Sequence, residues 1–141
     1  MKKGLLTAAV ISITCSSGAF AHGSCDTELH GYMQDIKDEM RAMSSDVKSG
    51  DNQSAAKHVD SLISYFEKSR SETPHKFIHD DLKGAELKSQ TAEYHKVVDG
   101  MIDVLKNLEG ALQSGDSSKV RELLGAIVEH RNSGHSSFKE C

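Results

Sequence analysis

Apolar side chains recur at alternating spacings of three and four along four separate stretches of this chain, and Pro74 is its only proline. That period lays one apolar stripe along each of four helices, because a helix turns once every 3.6 residues. No run of β-branched residues alternates with polar ones, so a sheet has nothing to build on. Segment one, 27–48, carries Leu29, Met33, Ile36, Met40, Met43 and Val47, with Asp26 as the expected N-cap and Gly50 as the stop. Segment two, 53–69, repeats Ala55, Val59, Leu62 and Phe66, with Ile63 widening the stripe. Segment three, 92–114, has Tyr94, Val98, Met101, Leu105, Leu108 and Leu112, and Gly115-Asp116-Ser117 both ends it and caps the next. Segment four, 118 to about 138, runs through Val120, Leu124, Ile127, Val128, Arg131 and His135. Short connections at 49–52 and around Gly115 force antiparallel neighbours. The expected fold class is therefore all-α, a single-domain antiparallel up-down-up-down four-helix bundle, with a long polar crossover at 70–90.

The first 21 residues read as an export signal. Lys2 and Lys3 form a basic start, 5–14 a short apolar run, and Ala19-Phe20-Ala21 a small-x-small cleavage pattern. That run is too short to span a bilayer. Ile13 and Thr14 make a poor lipobox before Cys15, which argues against acylation. The expected layout is a signal peptide, 1–21, followed by the bundle, 22–141, in the periplasm. Losing Lys2 and Lys3 takes the formal charge from −4 to −6. Such an acidic surface argues against nucleic acid or anionic lipid as a partner. A monomer without membrane insertion is expected.

Cleavage leaves two cysteines, Cys25 and Cys141, at the extremes of the mature chain. An even pair in an oxidising compartment predicts a disulfide, the alternative being two free thiols. The up-down topology also gathers the start of helix one and the end of helix four at one end of the bundle, and with them Met33 and His135. Cys25 precedes Met33 by eight residues and Cys141 follows His135 by six. At about 1.5 Å per helical residue these offsets are of similar reach, so the two pairings imply one register. A thioether facing an imidazole across a bundle core is one of the few pairs that grip a haem iron from both sides.

Two local patterns, Leu29-His30-Gly31-Tyr32-Met33 and Arg131-Asn132-Ser133-Gly134-His135, carry a resemblance to the cytochrome b562 family of soluble periplasmic haem proteins. The family has Leu-x-x-x-Met at the first place and Arg-x-x-x-His at the second, and Gly115 falls at its third-helix stop. The resemblance covers roughly 29–138. It implies Met33 and His135 as axial ligands, Arg131 beside the haem edge, and one-electron transfer to a periplasmic redox partner that the sequence does not identify. Met/His ligation fills both axial sites, which suits electron transfer rather than catalysis. No Cys-x-x-Cys-His is present, so the implied cofactor is one non-covalent haem b and not a c-type haem. Ile36, Phe66, Val97, Val98 and Val128 are candidate pocket walls. The chain departs from the family at Gly134, where a bulky residue usually precedes the ligand histidine. A helical glycine there is expected to leave space beside the ring and to loosen the last turns of helix four.

The eight histidines support a competing reading. All but His58 fall toward the end of the bundle that holds the termini. His75 and His79, four apart and followed by Asp80 and Asp81, would share one face of a helical turn as a copper or zinc site uses them. His22, as an N-terminal residue, would add an amine beside an imidazole. The alternative function is thus a haem-free periplasmic copper- or zinc-binding bundle; a third is a bundle without cofactor. No nucleophile triad, phosphate loop or acid pair stands out, and an enzyme is not expected.

Overall fold

The computed structural model describes residues 25–141, all of whose regular structure is helical. The signal-peptide segment 1–21, Cys15 and His22 lie outside the described residues. Four long helices, α1 (Glu28–Ser49), α2 (Asn52–Arg70), α4 (Gly84–Ser114) and α5 (Ser117–Phe138), run up and down, and a short α3 (His75–His79) sits in the crossover. None is long and apolar enough to cross a membrane.

Local chemistry sets the boundaries. Gly50 and Gly115 take left-handed φ values of 81° and 72°, and their N–H groups return to carbonyls of the last turns of α1 and α4. A side chain bearing Cβ is strained in that conformation, so each glycine turns the chain within a couple of residues. Asp51 and Asp116 then cap α2 and α5, accepting from the N–H groups of Ser54 and Lys119, both at 3.0 Å. Thr27, not the expected Asp26, caps α1: its backbone is extended and its hydroxyl accepts from His30 N at 3.1 Å.

The crossover is shorter than the apolar period suggests, because α4 starts at Gly84 and not at 92. Its first two turns are mostly exposed and polar, with Leu87 their one apolar residue packed against the core. Ala85, Glu86, Leu87, Lys88 and Gln90 are strong helix formers, and propensity adds to that single contact in extending the helix.

Leu62, Leu105 and Leu108 are wholly buried at the centre, with Met43, Val59, Leu112 and Ile127 packed around them. Burial of such side chains contributes roughly 1.5–3 kcal/mol each against leaving them in water. At the terminal end Phe138 meets Tyr94 and Phe77 edge-on, with centroids 5.4 and 5.9 Å away. Tyr94 donates to Ser69 O at 2.6 Å, and burial pushes its phenol pKa up to about 12. Arg70 grips Asp99 with both ends of its fork, at 2.6 and 3.0 Å, holding that carboxyl below the usual carboxylate range.

The helices are not joined equally. Close packing links α1 to α2, α2 to α4 and α4 to α5, with no comparable seam between α1 and α5 among the described residues. What ties α1 to α5 is covalent: Cys25 and Cys141 are bonded, with Cα atoms 5.9 Å apart and 116 residues between them. Closing so long a loop restricts the unfolded chain and is worth up to about 4–5 kcal/mol. Reduction of the purified protein, or a Cys25→Ser/Cys141→Ser double change, should lower the denaturation midpoint and reduce the free energy of unfolding by up to about that figure. Equal midpoints for the oxidised and reduced proteins would show that the tie adds no stability.

Candidate functional site

Met33 is the sixth residue of α1 and His135 the fourth from the end of α5, so both lie at the end closed by the disulfide. Tyr32 packs toward Tyr65 of α2, ring centroids 6.5 Å apart, with the Lys68 ammonium near both rings. One residue on, Met33 is turned by about 100° from that seam. It is half-buried and rests against the core. His30, a turn earlier, instead accepts from Gln34 of its own helix at 3.3 Å.

Helix α5 carries two faces. Val120, Leu123, Ile127, His130, Gly134 and Phe138 follow the core period, and this face meets α4. A Cβ on Gly134 would lie 3.3 Å from Val97 Cγ1, and one on Gly100 would lie 3.1 Å from His130 Cε1. Residues 97 with 134 and 100 with 130 are consecutive pairings of antiparallel helices, so the two glycines let α5 come in close on α4. The expected vacancy and loosening at Gly134 are both overturned. Val97 fills the space, and α5 continues unbroken to Phe138 because the Phe138 ring is clamped by Tyr94 and Phe77.

The second face, spaced four, three and four, is Leu124, Val128, Arg131 and His135. Val128 is 54% exposed, one of two large apolar side chains so open among the described residues. Arg131 is exposed, with its guanidinium 3.4 Å from the Asn132 side-chain oxygen. His135 is half-buried, and its pKa is lowered from 6.5, first by burial and then by the positive charges of Arg131 and Lys139. Its imidazole is therefore kept neutral with a lone pair available for a metal. Among the described residues α1 and α5 approach each other less closely than the other neighbouring helices do. Met33 on α1 and His135 on α5 are both half-buried and lie toward the same end of the bundle, the residue types that could hold a haem iron. Of the other candidate walls, Ile36, Phe66 and Val98 are core residues and Val97 belongs to the α4–α5 seam.

The expected histidine pair is also brought together. His75 and His79 bracket α3, and both reach the carboxylate of Glu140. Apolar periodicity gave no hint of Glu140; its only signal was its place beside Cys141. His58 lies apart, donating or accepting at 2.5 Å with Glu39 and 3.4 Å with Asp46. Surface hollows lined by Asn52, Gln53 and Leu112, or by Val47 and Val120, sit at the opposite end and hold no convergent ligand set.

Compared with known proteins, residues 28–139 match the family model described as cytochrome b562, a span that includes all four long helices. No curated protein and no solved structure matches the chain.

The close approach at Gly134 makes a prediction that a nearby glycine controls. Gly125, also in α5, has open space where a Cβ would go. Gly125→Ala should therefore stabilise the protein by about 0.5–1 kcal/mol through helix propensity. Gly134→Ala should recover less than that or destabilise, because Val97 must move. Equal gains in denaturant unfolding would show that the α4–α5 seam does not depend on glycine.

Proposed function

The chain belongs to the cytochrome b562 family, a family of b-type haem electron carriers, and on that premise we propose a periplasmic cytochrome that binds one non-covalent haem b through Met33 and His135. What supports this reading is the family match over residues 28–139 together with Met33 and His135 both half-buried at one end of the bundle, His135 following an exposed Val128 and Arg131 on one face of α5. Bound haem supplies the one-electron couple. Met33 and His135 would hold that group through side chains of the protein, and a haem held so would supply electron transfer rather than catalysis.

Each residue has a definable task. His135, kept neutral by burial and by its cationic neighbours, offers a lone pair without first losing a proton. Met33 offers a soft thioether from a half-buried position, a donor that raises the potential of a haem. Leu124 and Val128 supply apolar surface that displaces water from the cofactor face. Arg131, one turn before His135, stands where it would meet a propionate at the haem edge. Cys25–Cys141 holds the opening turns of α1 near the closing turns of α5, limiting how far the two ligands can separate. The histidine pair on α3 does not compete with this arrangement, because His75 and His79 both engage Glu140.

The purified periplasmic protein should be red, with a low-spin six-coordinate spectrum that shifts on reduction. Met33→Ala or His135→Ala should each abolish the six-coordinate signal while leaving helix content unchanged. A colourless protein from a haem-replete periplasm that also fails to take up added haem would overturn the reading. Acid adds a second measurement. Protonated imidazole has no lone pair, so haem uptake by the apoprotein should hold as pH falls to the ordinary histidine value of 6.5 and decline only below it, where the depressed pKa of His135 is crossed. His135→Met, which cannot protonate in this range, should lack that decline.

A further inference from the structure

We propose that His75, His79 and Glu140 form a second metal site, separate from the haem ligands, that takes a divalent transition ion such as zinc. The two imidazoles lie four residues apart on α3, so they project from one face of its single turn. Glu140 comes from 65 residues beyond His75, and its two oxygens face one imidazole each. One carboxylate oxygen is 2.8 Å from His79 Nδ1 and the other is 3.4 Å from His75 Nδ1. Asp80 adds a further carboxylate: an imidazole nitrogen of His79 and carboxylate oxygens of Asp80 and Glu140 lie within 4.8 Å of one another, and His75, which meets the other Glu140 oxygen, would turn toward the ion to complete the set.

The disulfide builds this arrangement. Glu140 immediately precedes Cys141, and the Cys25 and Cys141 sulfurs lie within 4.8 Å of an imidazole nitrogen of His75. A C-terminal carboxylate that would otherwise roam is thus fixed against α3. The helix is anchored in turn, by Phe77 buried beneath Tyr94 and Phe138 and by fully buried Pro74 at its start. Burial is graded: the side chains of His75 and Glu140 are 21% and 28% exposed, whereas His79 is 63% exposed and faces the direction of entry. Two imidazoles with one or two carboxylates make a borderline donor set, which selects zinc or copper over calcium and magnesium. Zinc bonds to these donors are about 2.0–2.2 Å, so bound ligand atoms stand roughly 3–3.5 Å apart, a spacing the carboxylate–imidazole contacts already approach. The His58 cluster shows the contrast. There Glu39 and Asp46 engage opposite ring nitrogens, so no single ion could meet all three groups.

The test is zinc titration of the mature, oxidised protein against a chromophoric chelator. Zinc is preferred to copper because a free amine beside His22 would take copper independently. The expected result is one saturable equivalent, with the haem spectrum unchanged. His75→Gln/His79→Gln should weaken zinc binding by at least about tenfold, and Glu140→Gln by a smaller but measurable factor. His58→Gln should have no effect. Zinc should also raise the melting temperature of the wild-type protein and not that of the double variant. Unaltered affinity in the folded double variant, or only unsaturable millimolar binding to the wild type, would overturn the proposal.

Discussion

A ring of four helices normally closes through four apolar seams, and each seam removes side chains from water on both partners. Here the close backbone approaches are those of α1 with α2, α2 with α4 and α4 with α5, and none as close joins α1 to α5 among the described residues. Helix α5 carries a half-buried Leu124 and an exposed Val128 outside its core face, and near its end stands a histidine whose pKa is lowered by burial and neighbouring charge. In the proposed reading, a flat apolar cofactor would cover that surface.

The other contacts set how each helix sits on its neighbour. Gly100 and Gly134 bring α5 close onto α4. Tyr32, Tyr65 and Lys68 draw α1 onto α2. The Cys25–Cys141 bond then ties the start of α1 to the end of α5. The same bond places Glu140 against α3, so one covalent link organises both the proposed haem end and the proposed zinc site. The two sites use different chemistry: a soft sulfur and a neutral imidazole for iron within a porphyrin, imidazole and carboxylate for a bare divalent ion.

Much of this was legible from residue spacing. The stripes Leu29 to Val47 and Tyr94 to Leu112, the stops at Gly50 and Gly115, and the cap at Asp116 each follow from local geometry that one chain segment expresses alone. The first two turns of α4 were not legible, because Gly84 to Thr91 offer one core-packed apolar residue, Leu87, beside helix propensity, too little for a period-based reading to register. The cap at Thr27 was missed for a related reason: Asp26 and Thr27 are both good caps, and only the extended backbone of Thr27 decides between them. Gly134 was misjudged in kind. A helical glycine looks like a weak point in isolation, and becomes a packing contact only when Val97 of another helix occupies the place of its missing side chain.

The sequence by itself therefore determined the helices, their order, their antiparallel sense and the end of the bundle at which Met33, His135, Cys25 and Cys141 gather. Those properties depend on the 3.6-residue period and on short connections, both written locally. Only the tertiary structure decided which helices approach most closely, that the place of a Gly134 side chain is filled by a neighbour, and that Glu140 reaches His75 and His79. Each of these depends on distances between residues far apart in the chain, and such distances are set by packing and by the disulfide, not by any repeat along the backbone.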